Sequence, residues 1–374
     1  MSLTEIEITG FRSIRSIRFP LRRLTVLVGA NGVGKTNLYR SLELLHAAAK
    51  GTLAEEIARE GGLASVHFAG ELRKQDKPQV ALMARLDDVL DGGGDVEYRC
   101  TLGFPAPVAA AFSTEAQVKA ESLAARIGRK SIELMERNGL AVWARDGEGK
   151  RAVAESELLA SETALSNLRG GYRTVDAVRH VISSWRFYHG FRTDPDSPLR
   201  KPSPAITSPM LNADGSNLAS VFATIRYIRE DSVDLDEAVE HAFPGARLWV
   251  PPPDETASFG MSFPDLPRRQ FGAHELSDGT LQYLALMGAL LAYRLPPFIA
   301  LNEPETSLHP SLLPALGRII ARAAERTQIW VVTHSQVLAD AIAEESGVVP
   351  RTVIRRDGAT WLEGLTQFGA FEDD

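Results

Sequence analysis

The sequence predicts an α/β fold that combines a mixed or parallel core sheet, an antiparallel β subdomain and a helical lobe. Apolar runs at 24–28, 298–301 and 329–332 have the length and composition of buried strands. Between about residues 65 and 145, short segments rich in β-formers alternate with glycine-containing turns. Apolar residues at helical spacing then indicate helices, including one that begins near residue 278.

The N-terminal residues predict two half-buried strands, followed by a strand that is mostly apolar. Ile6 and Ile8 alternate with polar residues, and Ile17 and Phe19 do the same. The apolar run 24–28 follows directly. After the loop that ends this run, helical spacing predicts a buried face made of Leu38, Leu42 and Leu45.

The loop after residue 28 fits the phosphate-binding pattern G-x-x-x-x-G-K-[ST]. Its glycines let successive backbone N–H groups face a phosphate, and the following helix adds its positive end. Lys35 would neutralise the β- and γ-phosphates of ATP, and the Thr36 hydroxyl would contact Mg²⁺. The alternative is an ordinary glycine-rich turn, which requires neither residue. The side chains and amides assigned to the nucleotide are those of Gly29, Asn31, Gly32, Val33, Gly34, Lys35, Thr36 and Asn37.

Composition limits the class of partner. The 374 residues include 41 basic and 48 acidic ones, for a net charge of −7, which argues against nucleic-acid affinity spread over the surface. One dense basic stretch predicts either a solvated hairpin face, which we favour, or a local DNA contact. It consists of Arg12, Arg15, Arg18, Arg22 and Arg23.

The sequence also favours a cytoplasmic protein. Cys100 is the only cysteine, so the chain cannot form an intrachain disulfide or a cysteine-based zinc site. The N-terminus lacks the basic and apolar regions of a signal peptide, and no apolar run is long enough to span a membrane.

We expect two lobes. Residues 1–192 would form lobe I with the phosphate loop and the antiparallel subdomain, 193–209 a proline-rich connector, and 210–374 lobe II. Within lobe I, residues 115–136 have a pattern that fits either strand or helix, and Gly128 favours two strands joined by a turn. The absence of heptads excludes a long coiled-coil arm. Residues 155–184 are expected to be mainly helical, with a break at Gly170 and Gly171.

The second apolar run delivers two polar side chains to its end. Asn302 and Glu303 follow residues 298–301 directly, as expected of a buried strand that ends at a phosphate site. Asn302 would bond a metal-bound water, although an amide brings no charge to anchor the ion. Glu303 would orient and deprotonate the attacking water, or else serve only as a capping or surface carboxylate.

Three further residues have both a structural and a functional interpretation. Ser277 precedes a predicted helix and is either its N-cap or, with the Gly279 N–H, part of an anion site. The apolar face of that helix consists of Leu281, Leu284, Ala285, Gly288 and Leu291. His334 lies just after the third apolar run, and it either has a structural role or contacts the γ-phosphate. Ser307 lies just after Glu303, where it would cap a helix or lie at an interface.

The order of these segments matches that of Walker A, ABC signature, Walker B, D-loop and H-loop. They are residues 29–36, 276–280, 302–305, 307–310 and 333–335. The sequence resembles the SMC/RecF-like branch of ABC ATPases, and more closely the short bacterial AAA family ATPases related to the OLD family. The opening residues 8–14 also look like the first strand of that branch.

The resemblance implies a P-loop NTPase with an ABC-ATPase head that forms an ATP-dependent homodimer. Each ATP would lie between Walker A of one copy and the signature of the other, which is Ser277, Asp278, Gly279 and Thr280. Glu303 would be the general base, and His334 the γ-phosphate sensor. Arg12 and Ser13 would also reach the phosphates. His189 would stand where the branch has its Q-loop glutamine, and Thr36, Asn302 and His189 would surround Mg²⁺.

Two departures from the family pattern bear on function. The signature has Asp278 where glycine is usual, and Asn302 replaces the Walker B aspartate. Only about 40 residues follow His334, so the resemblance implies an ATPase without its own nuclease domain. It implies an ATP-hydrolysing dimerisation switch in DNA repair or anti-phage defence, acting with a separately encoded nuclease or other effector. The alternatives are an ATP-gated scaffold with little turnover and, less favoured, a transporter-type ATPase.

Overall fold

The computed structural model describes residues 2–74, 76–90, 93–105, 112–128, 130–153, 157–228 and 233–372. Contacts divide the chain into two compact units. Unit 1 comprises Met1–Arg22, Gly29–Trp185 and Thr352–Asp374, and unit 2 comprises Arg23–Val28 and Arg186–Arg351.

The strands of the described residues are β1 (Leu3–Phe11), β2 (Ile14–Pro20), β3 (Leu24–Val28), β4 (Gln79–Leu86), β5 (Asp95–Gly103), β6 (Gln117–Ile127), β7 (Lys130–Asn138), β8 (Ala141–Arg145), β9 (Arg151–Val153), β10 (Arg186–Tyr188), β11 (Ser203–Pro204), β12 (Arg247–Trp249), β13 (Thr256–Ala257), β14 (Gly260–Ser262), β15 (Gln270–Gly272), β16 (Phe298–Asn302), β17 (Gln328–Thr333), β18 (Arg351–Arg356) and β19 (Ala359–Leu362). The α-helices are α1 (Lys35–Lys50), α2 (Leu53–Arg59), α3 (Leu63–Val66), α4 (Ala164–Asn167), α5 (Arg173–Ser183), α6 (Leu218–Tyr227), α7 (Val233–Ala242), α8 (Asp278–Leu291), α9 (Leu313–Ala324) and α10 (Gln336–Ser346).

Unit 1 is built on an antiparallel sheet with the strand order β2-β1-β4-β5-β6-β7-β8-β9. The predicted alternation of β1 and β2 is confirmed, because Ile6 pairs with Phe19 and Ile8 with Ile17, and all four are buried. Such directly opposed apolar pairs fix the register of an antiparallel sheet. The hairpin β18–β19 also belongs to this unit.

Two other expectations for unit 1 have different outcomes. Residues 117–127 and 130–138 form the two strands β6 and β7, as predicted. The predicted break at Gly170 and Gly171 is present, since both have positive φ, but the described residues 157–184 are less helical than expected, with only α4 and α5. Cys100 on β5 is buried, and burial raises the pKa of its thiol, so it packs as a neutral apolar group.

Unit 2 contains a parallel sheet with the strand order β10-β16-β17-β3. Its carboxyl ends are in register, since Asn302 pairs with Val332 and Thr333 with Val28. The side chains that follow these strands therefore collect at one edge, which is where open α/β sheets bind ligands. Helix α8 lies in the core of this unit, with residues 281–291 buried all round.

The two units do not coincide with the predicted lobes. The chain changes unit between Trp185 and Arg186, and the proline-rich segment 193–209 lies within unit 2. The physical reason is hydrogen bonding: Ser203 pairs with Ser220, and the Ser208 amide donates to Thr224. Unlike a linker, the segment is therefore fixed to α6. No α-helix of the described residues is both long and apolar enough to cross a membrane.

Candidate functional site

The phosphate-binding loop joins β3 to α1 and belongs to unit 1. Gly32 and Gly34 have φ of 82° and 101°, a backbone region that glycine adopts without strain. Lys35 is buried as the first residue of α1, and its Nζ donates to the carbonyls of Gly29 and Ala30 at 2.7 and 2.9 Å. The ammonium is thus held beneath the loop, while residues 30–32 are exposed.

The turn between β1 and β2 lies against the same loop. Arg12 has φ of 49°, and its Nη1 donates to Asn37 Oδ1 at 3.3 Å. The side-chain Nδ2 of Asn37 in turn donates to Ser13 Oγ at 2.7 Å. Arg12 also forms an ion pair with Glu60. The structure therefore brings together Arg12, Ser13 and Asn37, three of the residues predicted to serve the nucleotide.

The other arginines of the predicted basic stretch have protein partners. Arg18 pairs with Glu5 at 2.7 Å, and the Arg15 guanidinium donates to the Glu71 carbonyl at 2.8 Å. The Arg23 guanidinium donates to the carbonyl of Ala324 at 2.5 Å, within unit 2. Because these arginines already bond to other protein groups, the contacts favour a solvated hairpin face over a DNA contact.

Asn302 and His189 meet at the carboxyl edge of the parallel sheet. Asn302 is 2% exposed, and its side-chain amide lies 2.5 Å from His189 Nδ1. With Nδ2 as donor, His189 accepts at Nδ1. Asn302 Oδ1 is buried and has no hydrogen-bond partner among the described residues. A buried acceptor without a donor is costly, and a metal-bound water would satisfy it. The Asn302 amide therefore fits a contact with a metal ion through a bound water.

The structure brings Glu303 and His334 together in unit 2. Glu303 Oε1 lies 3.9 Å from His334 Nδ1, and both side chains are partly exposed. Glu303 has φ of 49°, and its amide donates to the Val332 carbonyl at 2.7 Å. A non-glycine residue in the left-handed region is uncommon and strained, and such residues cluster at functional sites. The conformation is therefore consistent with a chemical role for Glu303, beyond that of a surface carboxylate.

Glu305 organises this edge, a role that no sequence motif assigned to it. Its carboxylate is nearly buried, and Oε1 accepts from Thr333 Oγ1 at 2.5 Å and from the His334 amide at 2.9 Å. It also lies 3.1 Å from His334 Nδ1. Glu305 thus fixes both the backbone and the ring of His334. The available signal was a second acid two residues after Glu303.

The signature and the D-loop are packed together within unit 2. Ser277 Oγ accepts from the Thr280 amide at 3.2 Å, so Ser277 is the N-cap of α8, and this structural interpretation holds. A Cβ on Gly279 would lie 3.0 Å from the Ser307 carbonyl oxygen, which explains the glycine. Ser307 itself has φ of 67°. The two predicted contact segments therefore form one surface.

Asp278, the unusual signature residue, has a partner that the sequence did not reveal. Arg200 Nη2 donates to Asp278 Oδ1 at 2.7 Å, and Nη1 donates to the carbonyls of His274 and Leu276. Arg200 comes from the proline-rich segment, so that segment holds the signature in place.

Comparison with solved structures shows the fold. An Smc head bound to the C-winged helix domain of ScpA has a TM-score of 0.57 at 16% identity, covering 98% of this chain and 99% of that one. An Smc head with an extended coiled coil from Pyrococcus furiosus, bound to the C-terminal domain of ScpA, has a TM-score of 0.54 at 14% identity, covering 96% of this chain and 95% of that one. The fold is therefore that of an SMC head, a P-loop NTPase of the ABC-ATPase type.

Sequence comparison agrees. The phosphate import ATP-binding protein PstB of Mycoplasmoides gallisepticum is 24% identical over 153 residues, which is 40% of this chain and 41% of that protein. The chain thus spans about two fifths of the length of this relative. A family model described as "AAA domain, putative AbiEii toxin, Type IV TA system" matches residues 24–340. Because the match covers most of the chain, the protein belongs to this family, the AAA_21 domain, and it has the fold of an SMC head.

Proposed function

We propose that the protein is an ATP-binding and ATP-hydrolysing dimerisation switch. The observation that carries the proposal is Glu303, whose backbone is in the left-handed region and whose carboxylate lies beside His334 and Glu305 at the carboxyl edge of the parallel sheet. The arrangement of these three residues suits phosphoryl transfer from ATP to water, a reaction in which the protein contributes positioning and charge.

In this reaction Glu303 accepts a proton from the attacking water, whose oxygen forms a bond to the γ-phosphorus as the bond to the β,γ-bridging oxygen breaks. Lys35 and the loop amides bind the phosphates, and His334 contacts the γ-phosphate. Mg²⁺, when bound, would neutralise charge on the phosphate oxygens. Thr36 and Asn302 would hold it, with His189 orienting the Asn302 amide. The products are ADP and phosphate.

The surface made by the signature and the D-loop supports the proposed dimer. Ser277 and Asp278 are exposed at the start of α8, although residues 281–291 of that helix are buried. An exposed helix N-terminus is suited to bind an anion, and in the ABC arrangement that anion is the ATP of a second copy. Two identical composite sites would then close a twofold dimer, which hydrolysis reopens.

Replacing Ser277 by arginine should prevent the dimer while leaving each copy able to bind ATP. A long cation would occupy the position of the second copy's nucleotide, and in each copy only the α8 cap is lost, at about 1 kcal/mol. Light scattering with ATP should give a monomer mass for Ser277→Arg and a dimer mass for Ser65→Arg, a control at another exposed serine. A Ser277→Arg dimer as stable as wild type would rule out the head-to-tail arrangement.

The physiological role that we propose is defence against foreign DNA, or DNA repair, through a separately encoded nuclease or other effector in the cytoplasm. The family description, which names a toxin of a toxin–antitoxin system, supports defence. The solved Smc heads were crystallised with a domain of ScpA, which supports a partner protein. The relation to the OLD family, inferred from the motifs alone, points the same way. DNA itself is the less supported partner, because several arginines of the hairpin are paired internally.

A second candidate is an ATP-gated scaffold that hardly turns over. Asn302 favours it, since its buried amide brings no charge to the metal and already bonds His189. Phosphate release by the wild-type protein distinguishes the two functions. Negligible phosphate release by both the wild type and a Glu303→Gln protein, with ATP tightly bound in both, would establish the scaffold.

Removing the Glu305 carboxylate should slow hydrolysis without weakening ATP binding. In Glu305→Ala the His334 ring and the amides of residues 334 and 335 lose their shared acceptor, so we expect about a tenfold fall in kcat and little change in Kd for ATP. Glu305→Gln keeps one acceptor oxygen and should recover part of the rate. Glu344→Ala, at an exposed site on α10, is the control. Equal losses in kcat and in ATP affinity would contradict this positioning role.

A further inference from the structure

The C-terminal hairpin β18–β19 contacts the phosphate-binding loop at both ends, although it comes more than 300 residues later in the chain. A Cβ on Gly29 would lie 2.7 Å from the Val353 carbonyl oxygen. A Cβ on Gly34 would lie 1.9 Å from Thr360 Oγ1. Both loop glycines are therefore required by the approach of this hairpin. All of these residues belong to unit 1.

Thr360 lies at the centre of the contact and is 1% exposed. Its Oγ1 donates to the Val33 carbonyl at 2.8 Å and lies 2.6 Å from Ser13 Oγ. Its backbone amide donates to the Ser13 carbonyl at 2.8 Å. A hydroxyl has one proton. Because Thr360 gives its proton to Val33, Ser13 must be the donor in the contact between the two hydroxyls.

The directions of all the hydrogen bonds then follow. Arg12 donates to Asn37, Asn37 to Ser13, Ser13 to Thr360, and Thr360 to the Val33 carbonyl. A chain of bonds that all run in one direction is cooperative, because each bond polarises the next. This chain begins at a cation and ends on a carbonyl of the phosphate-binding loop itself.

The Val33 carbonyl and the Gly34 N–H belong to one peptide group. In a planar trans peptide these two groups point in opposite directions. Once Thr360 holds the carbonyl, the Gly34 N–H is turned away from the hairpin and a flipped peptide is disfavoured. The rotation would otherwise be easy, since Gly34 has no Cβ and has φ of 101°.

We propose that Thr360 is a positioning residue of the nucleotide site, which sets the direction of the Gly34 amide so that it donates to the phosphates of a nucleoside triphosphate. The identity of the ligand rests on the proposed function, whereas the fixed peptide does not. Ser13 would act in the same chain, in addition to any contact of its own with a phosphate.

Thr360→Val removes the hydroxyl and keeps the shape, whereas Thr360→Ser keeps the hydroxyl. In the free protein, hydrogen exchange of a peptide covering residues 29–36 should be faster in Thr360→Val, and also in Ser13→Ala, than in wild type. The affinities for ATP and for inorganic pyrophosphate should both fall about tenfold or more in Thr360→Val, the size expected for one bond to a charged group. Thr360→Ser should stay within about twofold of wild type. Thr352→Val, on the other strand of the hairpin, is the matched control.

The inference is overturned if Thr360→Val exchanges at the wild-type rate, or if Thr360→Ser binds as weakly as Thr360→Val. It is also overturned if Thr352→Val loses as much affinity, because the effect would then belong to the hairpin in general. If wild type binds neither ATP nor pyrophosphate while Thr360→Val still loosens the loop, the proposed function fails and the positioning role stands. If Thr360→Val does not fold, the same exchange measurement on Ser13→Ala decides. Faster exchange than in wild type supports the inference, and exchange at the wild-type rate overturns it.

Discussion

A Glu303→Gln protein is expected to release phosphate at least about a hundredfold more slowly than wild type while it keeps ATP bound. General-base catalysis contributes on the order of 10²–10⁴ in rate, and an amide cannot accept the proton of the attacking water. Glutamine also preserves the size of the side chain at a residue with φ of 49°, so the fold should be unaffected. Single-turnover phosphate release measures the rate, and filter binding measures the retained ATP.

The same variant should accumulate as the ATP-bound dimer, because in the proposed switch hydrolysis is the step that reopens the dimer. Light scattering with ATP should give a dimer mass that persists for Glu303→Gln and decays for wild type. Glu344→Gln, an exposed glutamate on α10, should behave as wild type. Equal rates in wild type and Glu303→Gln would remove Glu303 from the chemistry.

Replacing Lys35 by alanine should abolish both ATP binding and dimerisation. The variant loses the cation that we propose binds the phosphates. It also loses the two bonds from Nζ to the carbonyls of Gly29 and Ala30, so the loop itself should loosen. We expect ATP affinity to fall at least about a hundredfold, or about 3 kcal/mol. Isothermal titration with ATP measures the affinity. Lys50→Ala, at the exposed far end of α1, is the control.

Combining the two changes tests whether the nucleotide is what holds the dimer. Glu303→Gln alone should be a dimer with ATP, and the double variant Glu303→Gln with Lys35→Ala should be a monomer at the same concentration. A dimer in the double variant would mean that association is independent of nucleotide, and the proposed switch would then have no trigger.

The parts of the site that could be predicted are those whose chemistry is local in sequence. The phosphate-binding loop, the α1 face of Leu38, Leu42 and Leu45, and the pair Asn302 and Glu303 each lie within a few residues of a pattern that defines them, and that α1 face is buried as expected. The roles assigned to the site residues remain predictions. Glu305 could have been predicted, because a carboxylate that follows Pro304 and lies two residues from Glu303 is expected to share the environment of Glu303.

The parts that could not be predicted depend on contacts between distant segments. Nothing in the composition of 193–209 shows that Arg200 will reach Asp278, because a proline-rich stretch has the same sequence whether it links two bodies or packs against one. Thr360 is a single threonine in an ordinary strand, and only the fold places its hydroxyl on Val33. The assignment of residues 352–374 to the N-terminal unit has the same cause.

The left-handed conformations of Arg12, Glu303 and Ser307 also have a thermodynamic consequence. Each costs about 1–2 kcal/mol relative to an ordinary backbone, and packing elsewhere must offset that cost. Because native proteins are stable by only about 5–15 kcal/mol, three such residues take up a sizeable part of the margin. We therefore expect glycine at position 303 to leave the melting temperature unchanged or higher while it ends hydrolysis. The backbone strain that lowers the stability thus lies at residues to which we assign roles in the proposed reaction and dimer.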